Sequence, residues 1–430
     1  MKLRRLPSTY NCSTDTLREI LRSLLDNSVQ QDEVVTQTIY TKNLDIYDIV
    51  EYIDIFPKVI FHPRNSSKTF FAFGCSQIFS SIQEAVSVEI QIPKWTVLGF
   101  DPENDGWDNF PNRKHWMAEL TCVVEEDADG SQQIEILYTA KQCFSTQDSN
   151  HYPVYQFHHN PNQEEWIQNI IDSKQLYQNN TIEKIVLARC SRRIIQKQHH
   201  RILEDISKNQ KNCYHFFYSP KSECSFFGVS PERLFRITNN TLYTEALAGT
   251  RPRESDVTKD TEQAQDLLQH PKDREEHNIV VEYLQNTLSR FASSIEITNK
   301  EVLQLPYVQH IRTNISATLY EKVDIDDLLN TLHPTPAVCG MPKDTAYSLL
   351  RDIEQIPRGW YAGSFGLLEN TTIDCTVMIR SSLCMHDKMY VWTGAGIVES
   401  SDPRTEWEEL NNKAKQFFQI SAEPSPTEDI

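Results

Sequence analysis

The sequence predicts a mixed α/β protein. Helix-spaced segments and β-branched or aromatic runs follow one another along the chain. No internal repeat and no long linker divides it. Its 430 residues, 39% hydrophobic and 10% aromatic, fill two average domains or one large α/β domain and can bury a large core.

Residues 16–25 read as a helix. Residues 58–61 and 69–73 read as strands around the turn-forming Pro63 and Asn65. Residues 86–92 alternate weakly and read as a further strand. Residues 120–124 and 133–138 are strand-like runs across an acidic turn at 127–130. Nothing up to about residue 160 has the look of a catalytic constellation. Residues 421–430 are polar with two prolines and read as a tail.

Net charge bounds the partners. With 42 Lys+Arg against 60 Asp+Glu, the formal charge is −18. Nucleic acid and anionic membranes need a basic footprint, so neither is an expected partner. An anionic small substrate needs local cations or a metal. The 10 cysteines show no CxxC pair and no zinc spacing, so they read as reduced, mostly buried thiols. No stretch approaches the roughly 20 apolar residues of a membrane span. A cytoplasmic enzyme is expected.

The second half carries the motifs. Most of the 12 glycines lie between Gly228 and Gly396, each inside a short motif. Residues 184–189 form a β-branched run begun by Lys184. Alternation puts Lys184 on the face of Val186 and Ala188, where a desolvated lysine can act as a base. Glu232 follows a Gly/Pro turn and suits a general acid. A hairpin turns at Asn239-Asn240 and leads into the small residues of 245–252. Residues 271–291 read as a helix with proline in its first turn and Asp273 and Glu276 on one face. Asp402-Pro403 reads as the start of a helix with Glu406, Glu409 and Lys413 on one stripe. Oxygen ligands from two helices suit Mg²⁺. Prolines fix the path around His333, and glycines bracket Tyr361. Residues 377–379 read as a short strand delivering Arg380, whose fork suits a carboxylate. Gly394 and Gly396 suggest a cradle of backbone N–H groups for an anion. Taken singly, most of these also read as ordinary turns, strand ends or solvated helix faces.

Taken in order, they resemble the chorismate-utilising enzyme family, and within it the isochorismate synthases. The ordered set is KIVLAR, GVSPERL, EALAGTRPR, KDREEH, LHPTPAV, RGWYAG, IRSS, GAGIV and SDPRTEWEELNNK. The match runs from about residue 165 to 418. The part before it resembles more loosely, in Phe100-Asp101 and the nearby tryptophans, the corresponding half of stand-alone isochorismate synthases.

The resemblance implies one large α+β domain of two stacked, mainly antiparallel sheets flanked by helices. Residues 165–420 are then the catalytic region, 1–164 the N-terminal part of the same fold, and 421–430 a tail. It implies Lys184 as the base that activates water for attack at ring C2. Glu232 is the acid that protonates the departing C4 hydroxyl. Glu276 and Glu409 are Mg²⁺ ligands, with Asp273 and Glu406 acting through water. Tyr361, Arg380, the Gly394 backbone and Lys413 hold the carboxylates of chorismate, and Thr250 and His333 lie near its ring. Anthranilate synthases usually have glutamine at Lys184, and aminodeoxychorismate synthases a lysine at Ala248. Water is therefore the expected nucleophile, and no amidotransferase subunit is expected. Salicylate synthases, which go on to eliminate pyruvate, share the base and acid and are the alternative. Cys339 stands where other branches often have serine or alanine and bears on specificity. Menaquinone, siderophore and salicylate production all remain open as the pathway.

Overall fold

The computed structural model describes residues 2–26, 33–42, 44–88, 92–101, 107, 110–139, 158–179, 181–208, 210 and 212–419. The expected tail lies outside them. Within them the chain forms two β-sheets, of 13 and 10 strands. Lys2–Arg5 pairs with Glu33–Lys42 in parallel. The long central pairings, such as Lys184–Ile194 with Lys388–Ile397 and Thr241–Pro252 with Val308–Leu319, are antiparallel. The protein is a mixed α/β fold whose two mainly antiparallel sheets stack face to face.

Two-sided burial explains the continuous apolar runs of the larger sheet. In Lys68–Phe73, Phe70 and Ala72 belong to the core between the sheets, while Phe71 and Phe73 belong to a second core outside. Phe216 and Phe217 divide the same way, as do Phe226 and Phe227. Period-two alternation sends neighbours to opposite faces, so a strand covered on both sides must be apolar throughout. The helices Thr14–Asp26 and His199–Ser207 cover the outer face with Leu17, Leu21, Ile202 and Leu203. Across the inner face, Phe61 meets Trp95 and Phe365 of the smaller sheet at ring separations of 6.1 and 5.8 Å.

Apart from the two-residue His159–Asn160, the strands from the first 164 residues form one flank of each sheet and join the later strands there. Lys58–His62 is flanked by Lys68–Phe73 and Tyr214–Lys221, and Lys94–Leu98 by Arg113–Met117 and Ser364–Glu369.

Most local expectations match the observed elements. The hairpin turns at Asn239 and Asn240, both at positive φ (49° and 66°), as the tight primed turns require. Residues 86–92 are different. Ser81 caps a helix, Ile82–Ser87, and the following strand begins only at Lys94; residues 89–91 lie outside the described set. The weak alternation lost to a good N-cap, with the Ser81 side chain accepting the Glu84 N–H. The strand expected at 377–379 ends at Val377, and Met378 to Arg380 cross from one sheet to the other.

Two helices bring carboxylates to the centre. Pro271–Leu288 packs on Thr241–Pro252, and Pro403–Phe418 on Lys388–Ile397. Asp402 caps the second, accepting the Thr405 N–H at 2.9 Å. No helix among the described residues is long and apolar enough to cross a membrane.

Candidate functional site

A cleft opens between these elements, with walls from both sheets and both helices. Val186, Ala248, Thr250 and Gly394 come from strands, Glu276 and Lys413 from the helices, and Glu232, Tyr361 and Arg380 from the connections.

Lys184 begins its strand fully buried, with Nζ 3.0 Å from Glu276 Oε1. Glu276 reaches it because of its helix's buried stripe. Asp273, Glu276, Val280 and Leu284 recur every three or four residues, so the apolar face of the helix continues into its carboxylates. Gly396 makes the approach possible: a Cβ there would lie 2.1 Å from Glu276 Oε1 and 2.8 Å from Lys184 Cε. At Gly394 a Cβ would meet the Tyr361 hydroxyl at 2.7 Å. The two glycines line the cleft as expected, but the room they leave is taken by protein side chains.

Glu232 sits between the strands Cys224–Ser230 and Arg233–Thr238, and only 4% of it is exposed. Its N–H donates to Ser230 Oγ at 3.2 Å, and its carbonyl accepts from Thr376 Oγ1 and the Val377 N–H at 2.8 and 3.1 Å. Burial, helped by the Glu245 charge, pushes its carboxyl up to about 8, against the pull of Lys184, Lys413 and Arg64. A carboxyl that keeps its proton at neutral pH is what a general acid needs.

Arg380 stands at the crossover with φ 50°, uncommon for a non-glycine residue. Its carbonyl accepts the Val229 N–H at 3.0 Å, and Gly228 allows this close docking, since a Cβ there would lie 2.6 Å from that oxygen. Its Nη2 donates to His310 Nε2 at 3.0 Å. His310, which lines the cleft, is the residue that reading the sequence missed.

Three carboxylates of the two helices each face a lysine. Lys184 pairs with Glu276, Lys413 with Glu409 at 2.6 Å, and Lys272 with Glu406. Burial and the Glu409 charge raise Glu406 above the usual carboxylate range. Burial alone would raise Glu409 too, but Lys413 and Lys272 outweigh it and lower it. Glu406 Oε2 is buried without a hydrogen-bond partner. Among the described residues no three acidic, histidine or cysteine side chains converge as a ready metal-ligand set.

Six expected residues lie aside from the cleft wall: Lys184, Glu406 and Glu409, held in the ion pairs above, and His333, Cys339 and Asp273. His333 is buried, and its Nε2 is bonded to the Ala362 carbonyl at 2.8 Å. Cys339 is buried behind Ala337 and Val338, which do line the cleft. Asp273 pairs with Arg251 at 2.7 Å. Thr250 lines the cleft, with Oγ1 3.3 Å from His310 Nδ1.

Known proteins resemble this chain in sequence and shape. The isochorismate synthase MenF of Haemophilus influenzae is 37% identical over 221 residues, a segment spanning about half of each protein (51% and 51%). The isochorismate synthase MenF of Pasteurella multocida is 30% identical over 378 residues, covering 84% of this chain and 86% of that one. The solved structure of MenF, the menaquinone-specific isochorismate synthase of Escherichia coli, superposes with a TM-score of 0.78 over 95% of this chain and 99% of that one, at 24% identity, a likeness of fold. The family model described as chorismate binding enzyme matches residues 106–420, which takes in both walls of the cleft, and the chain belongs to that family.

Proposed function

We propose that this chain is an isochorismate synthase, interconverting chorismate and isochorismate with water as nucleophile. The observation that carries the reading is the cleft wall itself. Glu232, Ala248 and Glu276 line it, and Lys184 stands behind the wall, paired with Glu276, so the proposed acid faces the cleft, the proposed base lies one side chain away from it, and no lysine nucleophile occupies position 248. Lys184 takes a proton from water as its oxygen bonds to ring C2. Both ring double bonds shift, C1=C2 to C1=C6 and C5=C6 to C4=C5, the C4–O bond breaks, and Glu232 protonates the departing hydroxyl. One water enters and one leaves, so the net change is an isomerisation. Arg380, Lys413 and Tyr361 line the cleft, and in this reading they hold the substrate carboxylates, offsetting the −18 charge of the chain locally.

Mg²⁺ belongs to the same proposal. The oxygen donors of Glu276 and Glu409, with Glu406 and Asp273 acting through water, suit it, and three lysine ammonium groups already lie against three of these carboxylates. When bound, Mg²⁺ supplies positive charge to one substrate carboxylate. Asp273 takes part only if its pair with Arg251 opens. The cytoplasm is the proposed compartment, supported by nine unpaired thiols among the described residues.

The test is direct. Purified protein is incubated with chorismate and Mg²⁺, and isochorismate and pyruvate are quantified. Isochorismate without pyruvate supports the proposal. Stoichiometric pyruvate without a partner lyase makes it a salicylate synthase, and no consumption of chorismate overturns both.

A further inference from the structure

The turn that carries Glu232 is gripped on both sides by one buried ion pair. Arg64 follows the strand Lys58–His62, in the part of the chain that reads as free of catalytic motifs. Its Nη1 donates to the Pro231 carbonyl at 2.6 Å. The same guanidinium meets Glu245 on two prongs, Nη1 to Oε1 at 2.6 Å and Nη2 to Oε2 at 2.8 Å. Glu245 Oε1 in turn accepts the Arg233 N–H at 2.9 Å. The two side chains are 3% and 0% exposed. Residues 231 and 233 are thus tied to one pair, with Glu232 between them.

A buried ion pair of this kind is a poor way to gain stability, since desolvation offsets most of the attraction and an apolar replacement is often as stable. Its forked geometry is a good way to fix a backbone. It is also part of the field at Glu232. The groups that act on that carboxyl are Glu245 and Arg64 behind it, Lys184 from its strand and Lys413 from its helix, and Tyr361 faces it.

We propose that Arg64 and Glu245 are positioning residues for Glu232, fixing the turn so that its carboxyl points into the cleft and setting the charge behind it. This rests on Glu232 acting as the general acid. The N-terminal part of the chain is then a component of the catalytic apparatus, through Arg64.

Two variants separate the roles. Glu245→Gln keeps the shape and one Arg64 contact but removes the negative charge. We expect the KM for chorismate to stay within about threefold, kcat to fall by about ten- to a hundredfold, and the alkaline limb of kcat/KM to move down by about one pH unit. Arg64→Lys keeps the positive charge but cannot fork, so kcat falls while the limb stays near its wild-type position. Equal losses of thermal stability in both variants, with kcat and the limb unmoved, would overturn the proposal. Infrared titration of the Glu232 carboxyl, by difference against Glu232→Gln, is read alongside and needs no turnover. A downward shift of that carboxyl in Glu245→Gln supports the pair's role even if chorismate proves not to be the substrate; no shift overturns it.

Discussion

Arg380 Nη2 meets His310 Nε2 at 3.0 Å, and the far side of the imidazole fixes the direction of that bond. His310 Nδ1 donates to the Gly249 carbonyl at 3.0 Å, which leaves Nε2 as an acceptor. Burial, with Arg380 beside it, pushes the imidazole down to about 3, so it stays neutral across the physiological range. His310 therefore orients Arg380 without competing with it for an anion.

His310→Ala removes that support. The KM for chorismate should rise about ten- to a hundredfold with a smaller change in kcat, because binding is lost more than chemistry. Steady-state kinetics decide this, and an unchanged KM would show that Arg380 holds its position unaided.

Glu232→Gln should abolish turnover yet stabilise the fold above neutral pH. The folded-state carboxyl titrates near 8 against an ordinary 4.5, so between these values the folded protein holds a proton that the unfolded chain has released. Its contribution is fully present below 4.5 and is lost as pH rises through 8. The amide has no proton to lose. Melting temperatures of the two proteins should diverge from about pH 5 to 8 in favour of the variant; parallel curves would mean that the carboxyl is solvated.

Gly396→Ala places a methyl group where Glu276 Oε1 now sits. The Lys184–Glu276 contact must break or the strand must shift. Turnover should fall by more than about a hundredfold and Mg²⁺ should bind more weakly by calorimetry, with circular dichroism preserved. Wild-type affinity for Mg²⁺ would remove Glu276 from the ligand set.

Arg358 fills a gap along the edge of Lys184–Ile194. It donates to the Val186 carbonyl at 2.6 Å and the Val338 carbonyl at 2.7 Å and pairs with Glu354, whose Oε1 accepts the Ala188 N–H at 3.0 Å. Arg358→Met strands the Glu354 charge and should destabilise the protein by about 3–5 kcal/mol, read as a lower urea midpoint. A midpoint within error of wild type would show that Glu354 simply takes up a proton.

Local features of this fold are legible in the sequence because local physics sets them. The strands at 58–61 and 69–73, the Asn239-Asn240 turn and the Asp402 cap follow from residue type alone. Glu276 and Glu406 are legible for a second reason: each sits on the apolar stripe of its helix, a place where a solvated glutamate does not belong. Which strands pair is not legible, since every strand of a doubly covered sheet is apolar and offers no preference among partners. His310 was hidden in the same way. Alternation marks it as one more inward residue of Val308–Leu319, and only pairing of that strand with Thr241–Pro252 sets it opposite Thr250. Around His333 the prolines announce a rigid path but carry no information on where the ring points.

The grouping of early strands on one flank of each sheet decides how this chain can be divided. Removing the first 164 residues takes away one flank of both sheets, not a separate appendage. Tyr214–Lys221 and Ser364–Glu369 become raw edges that invite pairing with other chains, and Glu232 loses its grip from Arg64. The motif-bearing fragment alone should collect as aggregate. Supplied as a separate polypeptide, the missing piece would have to slot into both sheets at once to restore a working cleft.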